Sequence, residues 1–256
     1  MKVELLPSTV GEPANRQFCI GAVINDDTAI DAGTLGLVWP VERQQRIRRI
    51  FLSHSHIDHV ASLPLLLDNV YTEGPQCPMI YGNAETLQAL RDHLFNDRIW
   101  PDFVRLSELE TPFLELELLQ AEQSVAADNL KITPVSLNHV VPTLGFIVQE
   151  GDVTVAFVSD TGPTERVWEL LSQQSHLQAV FFECSFPNSH SELAAKSGHL
   201  CPETFASELQ KLPQDVRVIA CHLKPAHYDA IVAEIAELQL PQVEIGQPGI
   251  AYDFQP

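Results

Sequence analysis

The chain has 256 residues, 34 of them Asp or Glu and 15 Lys or Arg, for a formal net charge of −19. Its 45% hydrophobic content is enough for a packed core and excludes a disordered chain. The charge argues against a nucleic-acid polymer as partner, because a phosphate backbone needs basic surface. A small anion would need local positive charge, which bound metal can supply. No apolar run reaches the roughly 18 residues of a membrane span. Residues 1–7 lack the layout of a signal peptide. Cys19, Cys77, Cys184, Cys201 and Cys221 are scattered without a CxxC pair. Each reads as a small buried hydrophobe, and together they predict free thiols and a cytoplasmic location.

Residues 1–7 read as a first strand. The apolar runs 19–25 and 28–31 read as two more, turned at Asp26-Asp27. A strand over 46–52 ends in Ile50-Phe51-Leu52 and feeds a His-rich loop. A helix over 60–71 follows, interrupted near its start by Pro64. A strand at 79–81 precedes a helix over 84–95. Alternating apolar and acidic residues predict a half-buried strand at 113–119. Strands at 130–137, 145–149 and 153–159 follow, the last two joined by the turn Glu150-Gly151-Asp152. Then come helix 164–172, strand 179–183, helix 203–212, strand 217–221 and helix 228–238. In the last helix Ile231, Ile235 and Leu238 share one face. A strand-rich first half and a helix–strand second half predict an α/β (α+β) chain of two sheets inside helical layers. Without a repeat, a low-complexity tract or a linker, residues 1–256 read as a single domain.

The segment His54-Ser55-His56-Ile57-Asp58-His59 spells HxHxDH. His54 and His56 stand two apart in an extended segment, so both rings point to one side. Asp58 and His59 fall at the turn into a helix and can face a second ion. Imidazole with carboxylate suits Zn²⁺, and also Mn²⁺ or Fe²⁺. His139, Asp160 and His222 each follow a predicted strand, and groups at strand ends can converge on one rim of a sheet. Taken singly, each is equally well a polar residue capping its strand. The His-rich loop makes them candidate ligands.

HxHxDH followed by a His, an Asp and a His at strand ends resembles the metallo-β-lactamase superfamily of dinuclear hydrolases. The resemblance spans nearly the whole chain. It implies an αββα sandwich with two divalent transition-metal ions. In that pattern His54, His56 and His139 hold the first ion, Asp58, His59 and His222 the second, and Asp160 bridges them. Phe182-Glu183-Cys184-Ser185-Phe186-Pro187-Asn188, Gly198-His199-Leu200-Cys201-Pro202 and Cys221-His222-Leu223-Lys224-Pro225 look like segments of class II 3′,5′-cyclic-nucleotide phosphodiesterases. So does Val60-Ala61-Ser62-Leu63-Pro64. Ile57 and Ser62 depart from the Leu and Gly that this family often carries around the hexamer.

The chemistry so implied is attack of a metal-held hydroxide on phosphorus, opening the 3′-ester bond of cyclic AMP or cyclic GMP to a 5′-nucleotide. Asp58 then counts as catalytic as well as a ligand. The departing ribose oxygen needs a proton, and His199, just before a helix opened by Pro202, is the candidate acid. Glu183 is placed to orient that ring and hold it charged. A similar Glu–His pair occurs in superfamily phosphodiesterases, including the transfer-RNA 3′-processing endonucleases. Lys224 is the candidate contact to a phosphate oxygen, with a surface lysine as the bland alternative.

Thr161 and Gly162 read as shaping the turn after Asp160, and Ser53 and Asn138 as hydrogen-bonders beside ligands. His93 and His176 read as surface helix residues, and His190 and His227 as loop residues without a motif, in loops that could border the site. Trp39, Trp100 and Trp168 read as packing residues, with Trp100 placed in a loop where it could stack on a base. The expected partner is a small phosphodiester, with no nucleic-acid polymer and no membrane, and a homodimer is left open. The rivals are a lactonase, thioesterase or arylsulfatase on the same scaffold, then a nucleic-acid-processing nuclease.

Overall fold

The computed structural model describes residues 1–8, 16–109, 111–213 and 215–256. The chain divides into two compact units, Met1–Leu119 with Pro248–Asp253, and Gln120–Gln247 with Phe254–Pro256. The strands of the first unit are β1 (Lys2–Leu5), β2 (Ala22–Ile24), β3 (Thr28–Ile30), β4 (Arg49–Phe51), β5 (Met79–Gly82) and β6 (Glu115–Leu118). Those of the second are β7 (Val125–Ala127), β8 (Leu130–Leu137), β9 (Thr143–Glu150), β10 (Val153–Val158), β11 (Leu177–Glu183), β12 (Arg217–Cys221) and β13 (Val243–Ile245). A last strand, β14 (Ala251–Asp253), returns to the first unit.

Each unit holds one mixed sheet. The first runs β14-β1-β2-β3-β4-β5-β6, with β3 through β6 parallel. The second runs β13-β12-β11-β10-β9-β8-β7, with β10 through β13 parallel. The apolar runs of β9 and β10 are buried almost throughout, as expected of strands covered on both faces. Both expected tight turns are present. Asn25 and Asp26 take left-handed backbone between β2 and β3, a conformation that Asn and Asp tolerate best after Gly. Glu150 pairs with Val153 across Gly151, which has φ +54°.

Several elements differ from the sequence reading. The helix expected over 60–71 is two helices, Ile57–Val60 and Leu63–Val70. Pro64 sits in the first turn of the second, where its missing N–H is no loss, so it opens a helix instead of interrupting one. The helix expected over 84–95 begins at Ala84, capped by the Asn83 side chain, and turns π-helical over Leu90–Leu94. The helices Phe103–Leu109 and Ser191–Ser197 and the three-residue strands β7, β13 and β14 have no counterpart in the sequence reading. Elements that short show too little of either period to be read.

The first core gathers Leu35, Ile50, Leu52, Leu63, Leu66 and Phe95. The second gathers Trp168, Val180, Phe182, Phe205, Ile231 and Ile235, with Leu238 at its margin. Each fully buried side chain of this kind contributes about 1.5–3 kcal/mol of transfer free energy. Trp168 is buried and donates its indole N–H to Glu208 at 2.7 Å. Trp100 packs edge-on to Phe103. Trp39 does not pack; it is 80% exposed. His93 lies exposed on the π-helical turn, whereas His176 is exposed in a turn, beyond the helix expected to carry it. Among the described residues no helix is long and apolar enough to cross a membrane.

Candidate metal centre

In the first unit the parallel strands β3, β4 and β5 end level, with Ile30 opposite Phe51 and Phe51 opposite Tyr81. The segments that leave β3 and β4 therefore emerge side by side at the carboxyl edge, where open α/β sheets carry their sites. Asp31 leaves β3 there, and Ser53-His54 leaves β4. Asp31 is buried and accepts from the Ser53 backbone N–H at 2.7 Å, the Ser53 hydroxyl at 2.8 Å and His59 Nδ1–H at 2.7 Å.

This network fixes two tautomers. A carboxylate can only accept, so His59 carries its proton on Nδ1. The single Ser53 proton goes to Asp31, so Ser53 Oγ accepts from His54 Nδ1 at 2.9 Å. Both rings then present Nε2 as the lone-pair nitrogen, the arrangement typical of metal-binding histidines. The His54 ring lies 4.6 Å from that of His56 and 4.2 Å from that of His59. Asp58 Oδ2 is 4.0 Å from His59 Nε2.

Backbone bonds clamp this loop. Ile20 N–H donates to Asp58 O and Ala32 N–H to His59 O, each at 2.7 Å. Gly33 presses against it so closely that a Cβ there would stand 2.0 Å from Asp58 O, and only glycine fits.

In the second unit Val158, Phe182 and Ala220 stand abreast on the parallel strands β10, β11 and β12. Asp160 follows β10, Glu183 ends β11 and His222 follows β12, all at one edge. Strand β8 is antiparallel to β9, and β9 to β10, so β8 shares the direction of β10 and delivers His139 to the same edge. Asp160 Oδ1 is 3.4 Å from His222 Nε2, and its Oδ2 is 4.0 Å from His139 Nε2 and 3.9 Å from His199 Nε2. One ligand atom each from Asp160, His199 and His222 fall within 4.8 Å of one another.

His139 donates Nδ1–H to Gly198 O at 2.8 Å, again leaving Nε2 as the basic nitrogen. Burial pulls its pKa below the ordinary imidazole value, against the Gly198 carbonyl and Asp160. The shift favours the neutral ring, the form a metal-ligating histidine needs. Gly198 takes φ +68° at the end of the helix Ser191–Ser197, and a Cβ there would come within 2.9 Å of His139 Nδ1.

Glu183 is buried and saturated. Its Oε1 accepts from His199 Nδ1 at 2.8 Å and Thr161 N–H at 3.0 Å, and its Oε2 from Ser185 N–H at 3.1 Å and Leu200 N–H at 3.3 Å. Four donors thus converge on its two oxygens. For His199 the largest effect, burial, opposes the charged ring. The Glu183 hydrogen bond and charge, with Asp160, outweigh it and raise the pKa above the ordinary value.

Within each unit, imidazoles with Nδ1 engaged in the protein stand near an aspartate, His54 and His59 with Asp58 in the first and His139 and His199 with Asp160 in the second, donors of the kind that suit a divalent transition metal.

Thr161 Oγ donates to Gly162 O at 2.8 Å and Gly162 N–H to Asn138 O at 2.7 Å, shaping the turn after Asp160. Lys224 Nζ stands 5.7 Å from the centre of the Phe186 ring, which is itself 5.7 Å from that of His199. The His190 and His227 rings lie 4.5 Å apart, with His227 6.5 Å from Phe186, so both border this edge. The sequence reading assigns no role to Asp31, Gly33 or Ser185. The strand-end rule that finds Asp160 applies equally to Asp31, one residue past β3.

A model for a β-lactamase superfamily domain matches residues 27–223. The chain is 25% identical, over 88% of its length, to a probable 3′,5′-cyclic-nucleotide phosphodiesterase of Yersinia pestis. It is 31% identical, over 71% of its length, to a 3′,5′-cyclic-nucleotide phosphodiesterase of Aliivibrio fischeri. It spans 69% of the length of the first relative and 60% of the second. Unliganded yeast PDE1 superposes with a TM-score of 0.76 at 19% identity, covering 96% of each chain.

Proposed function

The chain belongs to the metallo-β-lactamase superfamily, a family of hydrolases, and from that premise we propose that it is a cytoplasmic, dinuclear-metal 3′,5′-cyclic-nucleotide phosphodiesterase. As the superfamily pattern implies, His54, His56 and His139 would hold one ion, Asp58, His59 and His222 the other, and Asp160 would serve both, with residues 1–256 as one domain. Zn²⁺ suits this set best. Bound ions supply Lewis acidity at the phosphoryl oxygens and bring the pKa of water toward neutrality.

The chain's own residues do the rest. His199 holds a proton on Nε2, opposite the Nδ1–H that it gives to Glu183, and passes it to the departing 3′-oxygen. Glu183 fixes the ring and favours its charged form. Lys224 meets a phosphate oxygen. The observation that carries the reading is the 2.8 Å contact of His199 with Glu183 beside Asp160. An acid positioned and charged in this way is needed for a poor alkoxide leaving group and is superfluous for a good one. The relatives' names point the same way. The net charge of −19 supports a small substrate over a nucleic-acid polymer. The scattered free cysteines support a cytoplasmic location.

The test compares kcat/KM of the metal-loaded chain on cyclic AMP, cyclic GMP, bis(p-nitrophenyl) phosphate, a thioester and a lactone. A cyclic nucleotide is expected to lead, and a lead by the thioester or lactone would overturn the reading. His199→Ala is expected to keep both ions and KM while lowering kcat on the cyclic nucleotide by roughly 10²-fold or more. It loses far less on bis(p-nitrophenyl) phosphate, because p-nitrophenolate departs without a proton. Equal losses on both, or release of metal, would make His199 a structural or ligand residue and put the acid elsewhere.

A further inference from the structure

We propose that Ser185 is a positioning residue that selects the metal-binding tautomer of His222. The side chain is fully buried, and its Oγ meets His222 twice: the ring Nδ1 at 2.6 Å and the backbone carbonyl at 3.0 Å. A hydroxyl has one proton, and a carbonyl oxygen can only accept. With the Ser185 proton on the His222 carbonyl, Ser185 Oγ must accept from His222 Nδ1–H. The lone pair is then on Nε2, which faces Asp160 Oδ1 at 3.4 Å.

The competing arrangement puts the ring proton on Nε2, toward Asp160, and turns the Ser185 hydroxyl to Nδ1. It forfeits the bond to the carbonyl and blocks the ligating nitrogen. The backbone favours the first arrangement. His222 has φ +56°, a left-handed conformation costing a bulky residue about 1 kcal/mol or more. In that conformation its ring and its own carbonyl converge on one hydroxyl.

Ser185 is held rigidly enough to impose the choice. Its N–H donates to Glu183 Oε2 at 3.1 Å, and its carbonyl accepts Lys224 N–H at 3.2 Å. Next to it Cys184 N–H donates to Cys221 O at 3.0 Å. The segment 183–185 is thus stitched to both sides of His222. Ser53 does the equivalent for His54 in the first unit, with Asp31 in the role of the carbonyl.

The inference rests on His222 as a ligand and not on the identity of the substrate. Its test uses the full chain loaded with Zn²⁺ and labelled with nitrogen-15 at histidine. In the wild type, His222 is expected to show a slowly exchanging proton on Nδ1 and none on Nε2. Ser185→Ala is expected to release one of two ions at a chelator concentration lower by roughly 10–100-fold, as when other hydrogen-bond partners of ligands are removed. Its Nδ1 proton exchanges fast, and Ser185→Thr, which keeps the hydroxyl, restores both readouts.

Unchanged ion release and an unchanged Nδ1 proton in Ser185→Ala would overturn the proposal. So would a proton on Nε2 in the wild type, a result that needs no variant to fold. If His222→Ala retained both ions the premise would fall, and the inference with it. Failure of the cyclic-nucleotide assay would leave the inference standing.

Discussion

Residues 54–59 place four candidate ligands on one short loop of the first unit, whereas the second collects His139, Asp160 and His222 from three separate strand ends. The first group is fixed by local chain geometry and then locked from outside by Asp31, Ser53 and Gly33. The second exists only because β8, β10 and β12 run in one direction and end at one edge. In the second group His139 and His222 both face Asp160, so loss of that carboxylate is expected to do more damage than loss of one side chain from residues 54–59. The contrast therefore predicts unequal damage from equal-looking changes.

The largest effect is expected at Asp160. Asp160→Ala should remove close to both ions by elemental analysis and lower kcat/KM at least about 10⁴-fold, because metal lowers the pKa of water by several units. His56→Ala should release one ion in preference to the other. Should the two variants lose metal equally, the second group has no special dependence on Asp160.

Next comes Asp31, which the loop needs although it is no ligand itself. Asp31→Asn should leave the chain folded and weaken metal retention by roughly 10–100-fold in chelator competition. An amide in its place can donate and so confuses the tautomers of His54 and His59. Full metal retention would show that the hexamer suffices without its lock.

A smaller change, confined to pH, is expected in the second unit. A group acting as an acid must be protonated, so activity persists below the pKa of His199 and falls as pH rises through it. Burial lowers that pKa, but Glu183 and Asp160 raise it further. Glu183→Gln removes most of the opposition to burial, so the alkaline limb of the pH–kcat profile should move to lower pH. A limb that does not move would detach Glu183 from the proton on His199.

The smallest expected effect separates backbone strain from contact. Gly198 and Gly151 both have left-handed φ, +68° and +54°, but only at Gly198 would a Cβ meet His139. Gly151→Ala should cost about 1 kcal/mol in urea unfolding and leave the metal alone. Gly198→Ala should cost that and also loosen an ion. Identical behaviour would mean that His139 yields to the added methyl.

The first group is legible in the order of residues alone. HxHxDH carries its candidate ligands at spacings that an extended segment entering a helix turns to one side, so no knowledge of the sheet is required. Asp160, Glu183 and His222 are legible too, because long apolar runs such as β10 and β11 announce where they end. The alternation of helix and strand announces the fold class.

Which polar neighbours serve those ligands is settled by packing in three dimensions. Asp31 looks in sequence like one more residue of a turn, and Ser185 like one more small residue after a strand. Their roles come from strands that lie beside one another in the sheet but apart in the chain. A hydrogen bond to an imidazole depends on strand register and on one hydroxyl proton, and neither leaves a periodic trace in the sequence. The same holds for Gly198, which must be glycine because a distant segment delivers His139 against it.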